Sequence, residues 1–177
     1  MSKLLITNAL VVNEGSQREL DIYIEDGRIA QIGPDLSACK ADKVVDAEGK
    51  IAMPGMIDDQ VHFREPGLTH KADMGTESRA AVAGGITSYM EMPNCNPLTI
   101  NEENLKKKHA LAATKSMANY GFYLGASNDN LEDIKRLDTR LACGVKIFMG
   151  ASTGNMLVDN RQTLEQIFQF SPILIAT

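Results

Sequence analysis

The densest run of reactive side chains is Asp58-Asp59-Gln60-Val61-His62-Phe63-Arg64-Glu65-Pro66-Gly67. It follows the apolar opening Pro54-Gly55-Met56-Ile57. An apolar strand that ends in Asp, Gln, His, Arg and Glu is placing reactive groups at that end. In a parallel barrel the C-terminal ends of the strands form the active-site face. The two-residue spacing of Gln60, His62 and Arg64 puts them on one side of an extended strand. A lone histidine there would be read as an ordinary satisfied side chain; the constellation reads as a site. A second candidate is Lys146, in Gly144-Val145-Lys146-Ile147-Phe148-Met149-Gly150. Apolar neighbours make its ammonium costly to bury, and burial lowers a lysine's pKa and exposes a nucleophilic neutral amine. The bland alternative is a lysine at a strand end that snorkels to solvent.

The elements that must position these residues fall into two regions. Up to about residue 52 the pattern is short strands and turns. Residues 4–12 are apolar and β-branched, 20–24 alternate strictly, and Asp26-Gly27 is a tight hairpin signal before a strand at 28–33. With 44–46 these make a small antiparallel β unit with too little core to stand alone. From residue 53 to 177 strand-like and helix-like runs alternate. Strands are expected at 56–63, 86–92, 120–124, 145–149 and 173–176, and helices at 76–82, 102–117, 131–137 and 161–170. Such alternation implies a parallel sheet, either doubly wound or a barrel. The last strand has no helix after it to cover it, so the chain reads as part of a longer barrel.

Composition narrows the classes. The chain has 177 residues, 44% of them hydrophobic, and a net charge of −5. That is enough for a cored globular unit and excludes a disordered tail. No apolar run is long enough to cross a bilayer. The only basic run, Lys106-Lys107-Lys108, lies in a polar helical stretch and reads as a solvated face, so nucleic acid is not an expected partner. Cys39, Cys95 and Cys143 are odd in number and well separated. They form neither a disulfide framework nor a Cys-type zinc site, and a reducing cytoplasm is the expected compartment. His70 and His109 read as ordinary exposed histidines. The segment from Gly150 to Asn155 reads as a loop and lacks the lysine and spacing of a phosphate-binding loop.

The segment Asp58-x-Gln60-x-His62 resembles the Asp-x-His-x-His metal motif of the amidohydrolase superfamily, with glutamine in place of the first histidine. The continuation Phe63-Arg64-Glu65-Pro66-Gly67 and the turn Met92-Pro93-Asn94-Cys95-Asn96-Pro97 are similar to dihydroorotases in particular. The resemblance implies a (β/α)8 metallohydrolase barrel preceded by part of a small β-sandwich. It implies interconversion of N-carbamoyl-L-aspartate and dihydroorotate in pyrimidine biosynthesis. It also implies one or two zinc ions, held by His62, by Lys146 as a bridging carbamate that serves catalysis, and by whatever Gln60 can contribute. Arg64 and Asn94 are implied to bind the substrate carboxylate, and a guanidinium does match a planar carboxylate with two parallel hydrogen bonds. Allantoinases and hydantoinases, the nearest relatives of that family, typically lack the arginine. The partner is then a small molecule, with a homo-oligomer and association with other pyrimidine-pathway enzymes as further expectations. A later strand-end histidine, a further histidine ligand and an aspartate proton shuttle of the family fall beyond residue 177, so the chain alone is expected to be inactive.

Gln60 is the main departure, because a neutral amide oxygen is a poor zinc ligand beside imidazole, carboxylate or thiolate. It leaves three outcomes: two metals with one held weakly, a single metal on the carbamate and downstream histidines, or a metal-poor homologue without activity. Asp58 or Asp59 is a candidate to compensate through oxygen. The rival reading to an enzyme is a non-catalytic homologue that acts as a scaffold; a third is another cyclic amidohydrolase of the allantoinase or hydantoinase type.

Overall fold

The computed structural model describes residues 2–152 and 155–177; Thr153 and Gly154, in the segment read as a loop, lie outside them. The chain divides into two compact units, Met1–Pro54 and Gly55–Thr177.

The first unit is a five-stranded sheet of β1 (Lys3–Asn13), β2 (Ser16–Glu25), β3 (Arg28–Gly33), β4 (Lys43–Asp46) and β5 (Ile51–Ala52). The hairpin between β2 and β3 turns on Asp26 and Gly27, both at positive φ (51° and 75°), with Glu25 opposite Arg28. That is the backbone a two-residue turn needs to match the twist of its strands. The expectation of a purely antiparallel unit is corrected. β1 pairs antiparallel with β2, but β4 and β5 both pair with β1 in parallel. Strand pattern carries no direction, so pairing across the 29 residues between β1 and β4 was invisible locally.

The second unit alternates β6 (Met56–Val61), α1 (Met74–Ala83), β7 (Ile86–Glu91), α2 (Glu102–Lys115), β8 (Asn119–Gly125), α3 (Leu131–Lys135), β9 (Gly144–Lys146), α4 (Arg161–Phe170) and β10 (Ile175–Ala176). All pairings are parallel, and the strands lie side by side in chain order, β6 to β10. A doubly wound sheet would reverse direction at a switch point; this sheet does not, and it is the half-barrel arrangement of a TIM-like fold. Helix starts are set by caps. Asp73 accepts from the Thr76 amide at 2.9 Å, Asn101 from Asn104 at 2.9 Å and Asn160 from Thr163 at 3.0 Å. The core lies between sheet and helices, around Tyr89, Leu105, Phe122, Leu124, Val145 and Ile167, all 1% exposed or less. Because every strand runs the same way, the C-terminal ends of β6, β7 and β9 lie along one edge, where the candidate residues are.

Among the elements shorter than their patterns, two bear on the candidate residues. β6 ends at Val61 instead of Phe63, with irregular register between Asp58 and Val61, and β9 stops at Lys146. Beyond β9 the chain leaves the ladder step by step: the Ile147 amide still donates to the Ala176 carbonyl at 2.9 Å, and Phe148 bridges to Leu157 instead.

Candidate functional site

His62 is the first residue beyond β6 and Asn94 lies in the turn beyond β7. The Met92 amide donates to the Val61 carbonyl at 3.0 Å, locking the two strand ends together just before they diverge. His62 Nδ1 then lies 2.8 Å from Asn94 Oδ1. A carboxamide oxygen only accepts, so Nδ1 carries the proton. The imidazole therefore keeps its lone pair on Nε2, and the Asn94 amide keeps its NH2 group as a donor. Burial lowers the His62 pKa below its usual value; the Asn94 bond opposes this, while the charges of Arg64, Lys146 and Lys108 add to the lowering. The balance favours the neutral imidazole.

Arg64 sits at φ 67°, a left-handed conformation that is uncommon for a side chain of this size. The strand has ended, so the expected shared face of Gln60, His62 and Arg64 is not formed. Arg64 is half-buried. Among the described residues its guanidinium makes no ion pair, although ten such pairs occur elsewhere. An unpaired, partly desolvated guanidinium is a receptor for an anion. The backbone around it is held by Glu65, which is buried, accepts from the Met74 amide at 2.9 Å and pairs with Lys115. Gly67, at φ 83°, lets the loop pass the Asn96 carbonyl so closely that a Cβ would lie 1.9 Å from that oxygen.

Lys146 ends β9, buried at 7% exposure, and burial lowers its pKa. Its Nζ lies 5.1 Å from the centroid of the Phe148 ring, and among the described residues it makes no hydrogen bond or ion pair. The snorkelling alternative is thereby disfavoured. Gln60 is exposed; its backbone amide donates to Asp58 Oδ1 at 3.1 Å, which engages the carboxylate considered as a substitute ligand. Asp59 is exposed.

The donor chemistry at this edge suits zinc only in part. Among the described residues His62 Nε2 has no hydrogen-bond partner and carries the lone pair a metal needs, and Lys146 is an unpartnered amine. Among the described residues, however, no group of three or more His, Cys, Asp or Glu side chains is placed to hold a metal ion. A tetrahedral site needs three or four donors, so these residues do not complete one.

Sequence reading missed the groups beneath the site. Lys108, taken as part of a solvated face with Lys106 and Lys107, is 1% exposed, and its Nζ lies 2.8 Å from Glu91 Oε2, equally buried. The signal was present. Leu105, Lys108 and Ala112 form the buried stripe of α2, and Tyr89 and Glu91 share one face of β7. A lysine at an apolar helical position and a glutamate at an apolar strand position predict each other. His109 is likewise half-buried, with Nε2 2.8 Å from the Leu141 carbonyl and its ring edge-on to Phe122 at 4.8 Å, and is not the exposed histidine expected. His70 is exposed.

The model of the Dihydro-orotase-like family matches residues 49–140, more than half of the chain and the whole stretch carrying His62, Arg64 and Asn94. The chain belongs to that family. It is similar to the dihydroorotase of Methanosarcina acetivorans, with 38% identity over 168 residues covering 94% of this chain and 35% of that protein. The allantoinase of Desulfitobacterium hafniense is 38% identical over 143 residues, 80% of this chain and 31% of that one. Among solved structures, the L-hydantoinase (dihydropyrimidinase) of Arthrobacter aurescens superposes with a TM-score of 0.89 at 31% identity, covering 96% of this chain and 38% of that one. The dihydro-orotase-like chain thus spans about a third of the length of these relatives. All three relatives are cyclic-amide hydrolases by name. Among the described residues no helix is long and apolar enough to cross a membrane.

Proposed function

We propose that this chain forms the carboxylate-binding side of a dihydroorotase, a metal-dependent hydrolase that interconverts N-carbamoyl-L-aspartate and dihydroorotate in pyrimidine biosynthesis. One observation supports this over an allantoinase or hydantoinase: Arg64 offers a half-buried guanidinium without an ion-pair partner next to His62, whose partner Asn94 has its NH2 group free. Dihydroorotate carries a carboxylate; allantoin and hydantoin do not.

In this reading Arg64 and Asn94 grip the carboxylate and orient the ring towards the edge where His62 and Lys146 lie. His62 through Nε2 and Lys146 as its carbamate would help to hold zinc, together with ligands that these residues do not supply. Zinc would lower the pKa of a bound water and polarise the amide carbonyl. Asn94 keeps the His62 proton on Nδ1, and burial of Lys146 favours its neutral amine, the form that reacts with carbon dioxide.

The test is turnover by the intact protein of dihydroorotate, allantoin and an uncharged hydantoin at matched concentration. Preference for dihydroorotate, lost in Arg64→Ala, is expected. Preference for either uncharged ring would overturn the assignment. A second reading, a scaffold without catalysis, is favoured by exposed Gln60, whose side chain makes no hydrogen bond among the described residues. Intact protein that binds no zinc and turns over none of the three compounds would establish it.

A further inference from the structure

A buried ion pair joins the end of β7 to α2 beside the turn that carries Asn94. Glu91 ends β7 and Lys108 lies in the middle of α2, and both side chains are 1% exposed. Lys108 Nζ donates to the Met92 carbonyl at 3.1 Å and lies 3.6 Å from Cys95 Sγ. These two partners flank Pro93 and Asn94, so one ammonium group holds the turn before and after Asn94. Cys95 itself is anchored to the Thr99 hydroxyl at 3.3 Å. On the other side, Glu91 is in register with Val61, the residue before His62.

The pair is a costly way to build a core. Two charges must leave water, and an apolar pair of similar volume is often neutral or stabilising in such a place. Nor is the geometry that of an optimised salt bridge: Glu91 Oε2 has no aligned hydrogen bond among the described residues despite its 2.8 Å approach to Lys108. What an apolar pair would lack is a donor aimed at the Met92 carbonyl, in the turn that carries Asn94.

We propose that the Glu91–Lys108 pair is a positioning device: it fixes the Met92–Cys95 turn, and through it the Asn94–His62 hydrogen bond that decides which His62 nitrogen is left free. This rests on reading His62 and Asn94 as site residues, but its test does not depend on turnover. Glu91 and Lys108 are positioning residues that need not touch a substrate themselves.

The readout is the imidazole Nδ1–H proton of His62 in intact 15N-histidine-labelled protein, assigned by its loss in His62→Ala. In the wild type this proton is expected to be protected from solvent exchange by Asn94. Glu91→Gln keeps the Lys108 donor but removes the charge that holds it in place, so protection should fall, though by less than in the double variant. Glu91→Gln/Lys108→Met removes both charges together, leaving no unpaired buried ion, and should lose protection by at least tenfold while remaining folded. Lys107→Met, one residue away and exposed, should change nothing. A folded double variant with full protection overturns the proposal. So does a double variant that fails to fold, since the pair would then serve general stability. Absence of dihydroorotate turnover in wild-type protein whose His62 proton is protected would refute the proposed function and leave this inference standing.

Discussion

His62 Nδ1 and Asn94 Oδ1 lie 2.8 Å apart, tying the end of the first barrel strand to the turn after the second. The contact fixes the imidazole tautomer and, by occupying the amide oxygen, aims the Asn94 NH2 group outwards as a donor. Asn94→Ala should therefore weaken substrate binding and loosen His62 at once. A hydrogen bond to a charged partner contributes about 1.5–3 kcal/mol, so kcat/KM for dihydroorotate in the intact protein should fall roughly 10- to 150-fold. Steady-state kinetics measures this; a change below about twofold would remove Asn94 from the site.

Arg64 combines a functional side chain with a left-handed backbone at φ 67°. Two substitutions separate these roles. Arg64→Ala and Arg64→Gly should lose the carboxylated substrate equally, at a cost of about 2–5 kcal/mol in kcat/KM. Arg64→Gly should be the more stable variant by about 1 kcal/mol, because glycine adopts this conformation without strain. Denaturant midpoints of the two proteins give the comparison, and a more stable alanine variant would show that the backbone there is unstrained.

Lys108→Met strands Glu91 as a buried carboxylate. Burial raises the Glu91 pKa above its usual 4.5, while the Lys108 charge and the Arg64 backbone amide oppose the rise. Removing Lys108 pushes the value further up. The unfolded state then releases its proton first as pH rises, so stability falls from the unfolded value upwards and is spared below it. Lys108→Met should cost about 3–5 kcal/mol at pH 8 and markedly less near pH 5. Urea unfolding at the two pH values checks the sign; equal losses would mean that Glu91 does not titrate in this window.

Gly67→Ala should be among the most damaging small substitutions in the chain. Its φ of 83° disfavours any side chain, and the added Cβ would fall 1.9 Å from the Asn96 carbonyl oxygen. Backbone strain alone costs about 1–3 kcal/mol, and relieving the clash must move the loop that carries Arg64 and Glu65. A clear drop in melting temperature together with weakened dihydroorotate binding is expected. Unchanged melting would show that the two loops do not meet so closely.

Lys146 should take up carbon dioxide only where metal stabilises the resulting anion, since an unpaired buried anion is expensive. Intact metal-loaded protein supplied with 13C-bicarbonate should show one carbamate signal, absent in Lys146→Met and lost on chelation. The 177-residue chain alone should show a free amine and no turnover. A plain lysine in fully metallated intact protein would end the bridging role.

Much of this was legible in the residues alone. The order of strands and helices, the hairpin at Asp26-Gly27, the strand-end position of His62 and the buried Lys146 follow from patterns within a few residues, because periodicity, caps and turns are local physics. The motifs also singled out Asn94 in a turn and Arg64, the latter on the face of a strand that in fact ends before it, at Val61. The tertiary structure decided what depends on residues far apart in sequence. It set the parallel pairing of β4 and β5 with β1, the end of β6 at Val61 that separates Gln60 from His62, and the 32-residue link from His62 to Asn94. It also turned Lys108 from a solvated face into a buried ion pair with Glu91. Helical spacing had already put Lys108 in line with Leu105 and Ala112; only the packing of α2 against the sheet shows that this stripe faces the core, and that a carboxylate waits there to share the charge.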